Sequence, residues 1–121
     1  GGTEKERYAV AKEFADRGVT VKTVERARDT EAMKLWETTQ YGSFIMLMQE
    51  IHRFCETHDL DFNTVYTLSN QTYNEGYEKL GMGNVRRPVL EYRGEGCGGH
   101  CVTPNAGLLD SPTAHRISEW K

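Results

Sequence analysis

Apolar residues recur along this chain in two periods, and the changes between them mark its elements. In "TEKERYAVAKEFADRG", residues 3–18, Tyr8, Val10, Ala11 and Phe14 form a stripe at helical spacing, with Thr3 placed to cap the helix and Gly18 to stop it. Val19 to Val24 alternates β-branched and polar residues and predicts a short strand. From Asp29 to His58 there is no proline and a single glycine, Gly42. Met33, Trp36, Gln40, Phe44, Leu47, Ile51, Phe54 and Cys55 keep a helical period through that run. It predicts one helix of about 45 Å at 1.5 Å per residue. Within it "FIMLM", Phe44 to Met48, is apolar around its whole circumference. A domain this small cannot cover every face of such a helix, which points to a partner helix from a second copy, a homodimer. The alternative is a central helix wrapped by its own domain.

The remaining pattern is helical with one loop. "DFNTVYTLSNQTYNEGYEKLG" predicts one or two shorter helices, with Asp61 as cap and Gly81 as stop. Residues 81–99 read as loop, interrupted by "PVLEY", and Ser111 followed by Pro112 starts a final helix. The fold class is therefore mainly α. A helix and one strand cannot complete a sheet, so residues 1–28 are expected to be the tail of a larger α/β unit and residues 29–121 a helical domain.

Bulk composition narrows the partners. The 121 residues carry a formal net charge of −3, and the only local basic cluster is Arg86–Arg87, so nucleic acid is not expected. No apolar run approaches the roughly 20 residues that cross a bilayer, and the opening "GGTEKERY" lacks the features of a signal peptide. Three cysteines make no disulfide framework, so a reducing cytoplasm is the expected setting.

The chemistry concentrates in "GEGCGGHCVTPN", Gly94 to Asn105. Cys97, His100 and Cys101 could belong to a zinc site, with His52, Cys55 and His58 on the long helix as further ligands. Structural zinc sites pair two knuckles or a knuckle with two histidines, however, and the helix residues do not share one face, so no metal is expected. Nor does C-x3-C match the C-x-x-C of thioredoxin-type redox pairs. A nucleophile fits better than either, because a thiolate needs exposure and nearby donors, and glycines let backbone N–H groups approach closely. A purely structural glycine turn is the competing reading of the same residues.

At this point two regions resemble one family. "GCGGHCVTPNAGLL" resembles the G-x-G-G-x-C active-site loop of the UDP-glucose/GDP-mannose dehydrogenases, and its "GGHC" form is most similar to the branch that oxidises N-acetyl-mannosamine-type nucleotide sugars. "TEAMKLWETTQYGSFIMLMQEIHRFCETHDLDFNTVY" resembles that family's central helix, in the same order and at a fitting separation. The resemblance implies a central dimerisation domain, of the 6-phosphogluconate-dehydrogenase C-terminal type, preceded by the last helix and strand of a Rossmann-type dinucleotide-binding domain. It implies an NAD-dependent oxidoreductase that turns a sugar CH2OH into a carboxylate through a thiohemiacetal and a thioester. By position Cys101 would be the nucleophile and Lys34 the cation beside the reacting oxygen. Gly96, Gly98 and Gly99 would line the sugar site. Arg87 matches, within one or two positions, an arginine that reaches a neighbouring subunit's substrate.

The departures from the family pattern are as informative. The family's asparagine four residues after the lysine is Thr38, and its aspartate four residues after the cysteine is Asn105. An amide takes no proton, so Asn105 cannot act as a base toward hydrolytic water. No G-x-G-x-x-G follows a strand, so NAD belongs to the complete enzyme and not to these residues. The reading is the central, cysteine-bearing part of a nucleotide-sugar dehydrogenase-like enzyme, inactive alone. The alternative is a non-catalytic dimerisation module, a relic without its NAD-binding domain.

Overall fold

Thr3 and Glu6 satisfy each other's backbone at the start of α1 (Glu4–Ala15). The Glu6 N–H donates to Thr3 Oγ1 at 3.3 Å, and the Thr3 N–H donates to Glu6 Oε2 at 2.6 Å. A reciprocal box of this kind fills two donors that the first helical turn leaves open. The computed structural model describes residues 2–97 and 99–120. Beyond α1 it contains α2 (Ala27–Thr57), a π-helical segment (Asn63–Leu68) that runs into α3 (Ser69–Lys79), a 3-10 turn (Gly83–Val85), α4 (Val102–Ala106) and α5 (Pro112–Ser118). The chain is mainly α.

Where the signals are local, the elements follow them. Asp61 accepts from the Thr64 N–H at 2.7 Å and from its hydroxyl at 2.6 Å, and those bonds, the side-chain one first, hold its carboxyl below the usual aspartate range. Gly81, at φ +72°, ends α3: the Gly81 N–H reaches Glu78 O and the Met82 N–H reaches Tyr77 O. That is the 5→2 and 6→1 pairing that favours glycine in the left-handed region. Ser111 accepts from the Ala114 N–H with Pro112 at the first helical position, as expected for a helix start.

The strand expected at Val19–Val24 does not form, and there is no strand among the described residues. Its residues alternate as a strand's would, but ladder hydrogen bonds need a second strand, and the neighbouring elements are helices.

The chain divides into two compact units, Gly1–Glu37 and Thr38–Lys121. In the first unit, α1 buries none of its residues, and its Tyr8, Val10 and Phe14 are at least half exposed. Arg7 joins α1 to the segment before α2, donating to Glu25 O at 2.9 Å.

The second unit holds the buried hydrophobic cluster. Val102 and Ala106 of α4 pack with Ala114 and Ile117 of α5, while Met46, Cys97 and Leu109 lie against them partly buried. Gly42 of α2 lies beneath Val102 and Ile117. The apolar run Phe44–Met48 is thus covered by its own chain to a larger extent than its pattern suggests. Met48 is buried and Phe44, Ile45 and Met46 are intermediate, while Leu47 stays 55% exposed. No helix among the described residues is long and apolar enough to cross a membrane.

Candidate functional site

One face of α2 organises the cysteine loop. Thr38, Gly42, Ile45 and Gln49 are spaced by four, three and four residues, which places them along one side of a helix. Asn105 of α4 donates from Nδ2 to Thr38 Oγ1 at 3.2 Å. Val102 sits on Gly42, so closely that a Cβ there would lie 2.4 Å from Val102 Cγ1. Gln49, only 2% exposed, donates from Nε2 to Gly94 O at 2.7 Å and to Gly96 O at 2.8 Å, and accepts from the Gly96 N–H at 3.1 Å. The loop that carries Cys97 and Cys101 is therefore tied to the same helix face before and after its thiols.

The approach to that loop is an extended strap, residues 86–96, held by buried polar side chains. Asn74 exchanges two hydrogen bonds with the Arg87 backbone, at 2.8 and 2.9 Å. Tyr66 accepts from the Leu90 N–H and donates to Pro88 O. Tyr92 stacks on His52 at 3.6 Å with the rings 3° from parallel, and Arg53 pairs with Glu95. Chain without a ladder thus gains partners for its backbone, as buried peptide groups require.

The residues singled out by motif are distributed as follows. Cys101 is exposed, at the position just before α4, while Cys97 is partly buried and Cys55 fully buried; all three are free thiols. Burial pushes the Cys97 thiol's pKa up, which lowers its thiolate content. Gly96 is both donor and acceptor in the Gln49 clamp at φ +81°, and Gly99 has φ +91°. Gly98 lies outside the described residues. Thr38 and Asn105 meet each other through the Asn105 Nδ2–Thr38 Oγ1 hydrogen bond. Arg87 is exposed, with its guanidinium 3.6 Å over the Tyr73 ring. Lys34 belongs to the first unit, where its ammonium stands 3.9 Å from Glu37.

Among the described residues no group of three or more His, Cys, Asp or Glu side chains could hold a metal ion. His52 is taken up by Tyr92 and Phe62, His58 lies against Phe54, and Cys55 is 1% exposed. Nor do the described residues form the strand, glycine loop and helix that cradle a dinucleotide. A cleft of about 570 Å³ is lined by Gly94, Glu95 and Gly96 of the loop with Tyr41, Met48 and Arg93, which falls within the ~300–1,000 Å³ of small-molecule sites.

Motif reading finds the cysteines and glycines but not Gln49, Asn74 or Tyr66. For Gln49 a signal exists: it is a lone amide in register with Gly42 on a face that is otherwise small or apolar. The chain matches no family model, no curated protein and no solved structure.

Proposed function

We propose that the second unit is the thiol-bearing domain of a nucleotide-sugar dehydrogenase-like oxidoreductase, with Cys101 as the nucleophile. The observation that carries this reading is the exposed Cys101 thiol on a glycine loop tied at both ends to one face of α2. A buried cysteine is inert, and a thiol on an untethered loop has no fixed direction of attack; this one has access and a fixed loop. The step assigned to this chain is addition. The Cys101 thiolate forms a bond to an aldehyde carbon, the carbonyl π pair moves to oxygen, and that oxygen takes up a proton to give a thiohemiacetal. Asn105 cannot serve as base. Its amide donates to Thr38, which fixes the start of α2's loop-binding face against α4.

Alkylation kinetics test the reading. Access alone makes Cys101 react faster than Cys55, so the useful reference is Cys101 in the same chain unfolded in urea. On this reading native Cys101 reacts with iodoacetamide about tenfold faster than the unfolded reference, because the folded surroundings of a nucleophile make its thiol more reactive than a free one. Cys101→Ala in the complete protein is expected to abolish NAD-dependent turnover while leaving the circular dichroism unchanged. A native rate at or below the unfolded one would remove the nucleophile.

A second reading, assembly, is favoured by one observation. Leu47, Phe54 and Leu68 are each more than half exposed, and Leu47, Ile51, Phe54 and Val65 line one groove. In this reading a second copy covers that groove. Leu47→Glu should then shift a dimer to monomer in light scattering at micromolar concentration, since it places a charge in an apolar contact. Met48→Glu would be uninformative, because Met48 is buried within its own chain. A monomer already present in the unsubstituted protein would end the assembly reading.

A further inference from the structure

We infer that Gln49 is the positioning residue of the cysteine loop, the side chain that fixes Cys101 for attack; this rests on the reading of Cys101 as nucleophile. The strap's upstream contacts, Asn74 on Arg87 and Tyr66 on Pro88 and Leu90, end several residues before the thiols. Gln49 is the last of the strap's buried polar anchors before Cys97, and Val102 on Gly42 is the apolar anchor just after Cys101.

The two anchors differ in kind. Burial of Val102 is driven by a non-directional effect. The hydrogen bonds of the Gln49 amide have preferred lengths and angles, so they set the direction in which the chain leaves Gly96. Both glycines it grips have positive φ, +103° at Gly94 and +81° at Gly96, a conformation with weak local preference that needs outside restraint. The chemistry of the clamp is specific to an amide. Two donations and one acceptance at once are available from a neutral Gln or Asn side chain, whereas a methionine offers no donor and a carboxylate no donor when ionised. Asn is one methylene shorter. The exposed Arg53–Glu95 pair on the same strap is half exposed on both sides and cannot substitute, because such pairs contribute little.

The experiment compares Gln49→Met and Gln49→Glu with the unsubstituted complete protein. It reads hydrogen exchange of residues 94–96 and the native-to-unfolded alkylation ratio of Cys101. Gln49→Met is expected to speed loop exchange about tenfold while α5 keeps its protection, and to bring the Cys101 ratio down to about one, because a released loop leaves the thiol in surroundings like those of the unfolded chain. Gln49→Glu carries a pH signature that a passive filler would lack. Protonated, its carboxyl can donate to one glycine carbonyl and accept from Gly96; ionised, it faces two carbonyl oxygens and releases them. Loop protection in that variant should therefore be close to the unsubstituted protein's at pH 5 and close to that of Gln49→Met at pH 8. A released loop with an unchanged Cys101 ratio overturns the positioning role and leaves the nucleophile standing. Loop protection unchanged in Gln49→Met overturns it too. A Cys101 that is no faster native than unfolded, before any substitution, removes the nucleophile reading and this inference with it. Should Gln49→Met fail to fold, a pH-independent loop in Gln49→Glu would overturn the inference by itself.

Discussion

Ile117→Ala is expected to destabilise the second unit by about 2–5 kcal/mol, the range for truncating a fully buried isoleucine. Ile117 is completely inaccessible, as are Ala106 and Ala114, and Val102 is 8% exposed. Of these four residues Ile117 is the largest, so its truncation leaves the largest void. The helices it joins have little stability of their own: α4 spans five residues and α5 seven, far below the roughly 12–15 at which isolated helices become marginal in water. Losing the contact should therefore loosen α4, and with it the chain just after Cys101. Urea unfolding followed by circular dichroism measures the first effect, and exchange of the Val102–Ala106 amides the second. Leu108→Ala is the control, since Leu108 is 72% exposed and its truncation should stay within about 0.5 kcal/mol. A loss below about 1 kcal/mol for Ile117→Ala would show that this cluster is not the core on which the loop depends.

Gly42→Ala is the second large effect, and its sign is opposite to what helix propensity alone predicts. In an exposed helix interior this change adds about 1 kcal/mol of stability. At Gly42 the new Cβ would lie 2.4 Å from Val102 Cγ1 and 3.2 Å from Ile117 Cγ2, so the Val102 side chain, or α4 with it, must shift. Overpacking of that kind costs about 1–3 kcal/mol, which cancels the propensity gain and leaves a net loss of up to about 2 kcal/mol. Gly76→Ala in α3 makes the same chemical change with nothing within 4 Å, and should gain about 1 kcal/mol. Val102→Ala decides the mechanism. Alone it removes buried methyl groups and destabilises; combined with Gly42→Ala it makes room for the new Cβ. The double variant should be more stable than the sum of the singles by about 0.5–3 kcal/mol, the coupling expected for side chains in contact. Additive singles would mean that Val102 does not lie on Gly42.

Both predictions concern contacts between residues far apart in the chain, and this separates what is legible in the sequence from what is not. Thr3 with Glu6, Asp61 with Thr64, Gly81 after α3, and Ser111 with Pro112 are each readable, because a cap and its partner lie within a few residues and act through geometry common to all helices. The long helix was readable for the same reason, since its period is a property of consecutive residues. Val19–Val24 shows the limit. Its alternation is real, but a strand is a relation between two segments, and local pattern cannot supply the second.

The candidate site divides in the same way. Residue types alone pick out the cysteines and the glycines beside them. Which thiol is exposed, and what holds the loop, depends on the packing of α4 and α5 against Thr38 and Gly42 and on the bonds of Gln49 to Gly94 and Gly96, all far apart in the chain. Asn105 meets Thr38 and Gln49 meets Gly96 only because α2 presents both on one face. The sequence by itself determined the longer helices, several of their ends and the thiols available, while α4 and the π-helical segment were not legible in it. Only the tertiary structure decided which polar side chains are buried with partners, because a buried hydrogen bond has value only when folding brings its two halves together away from water.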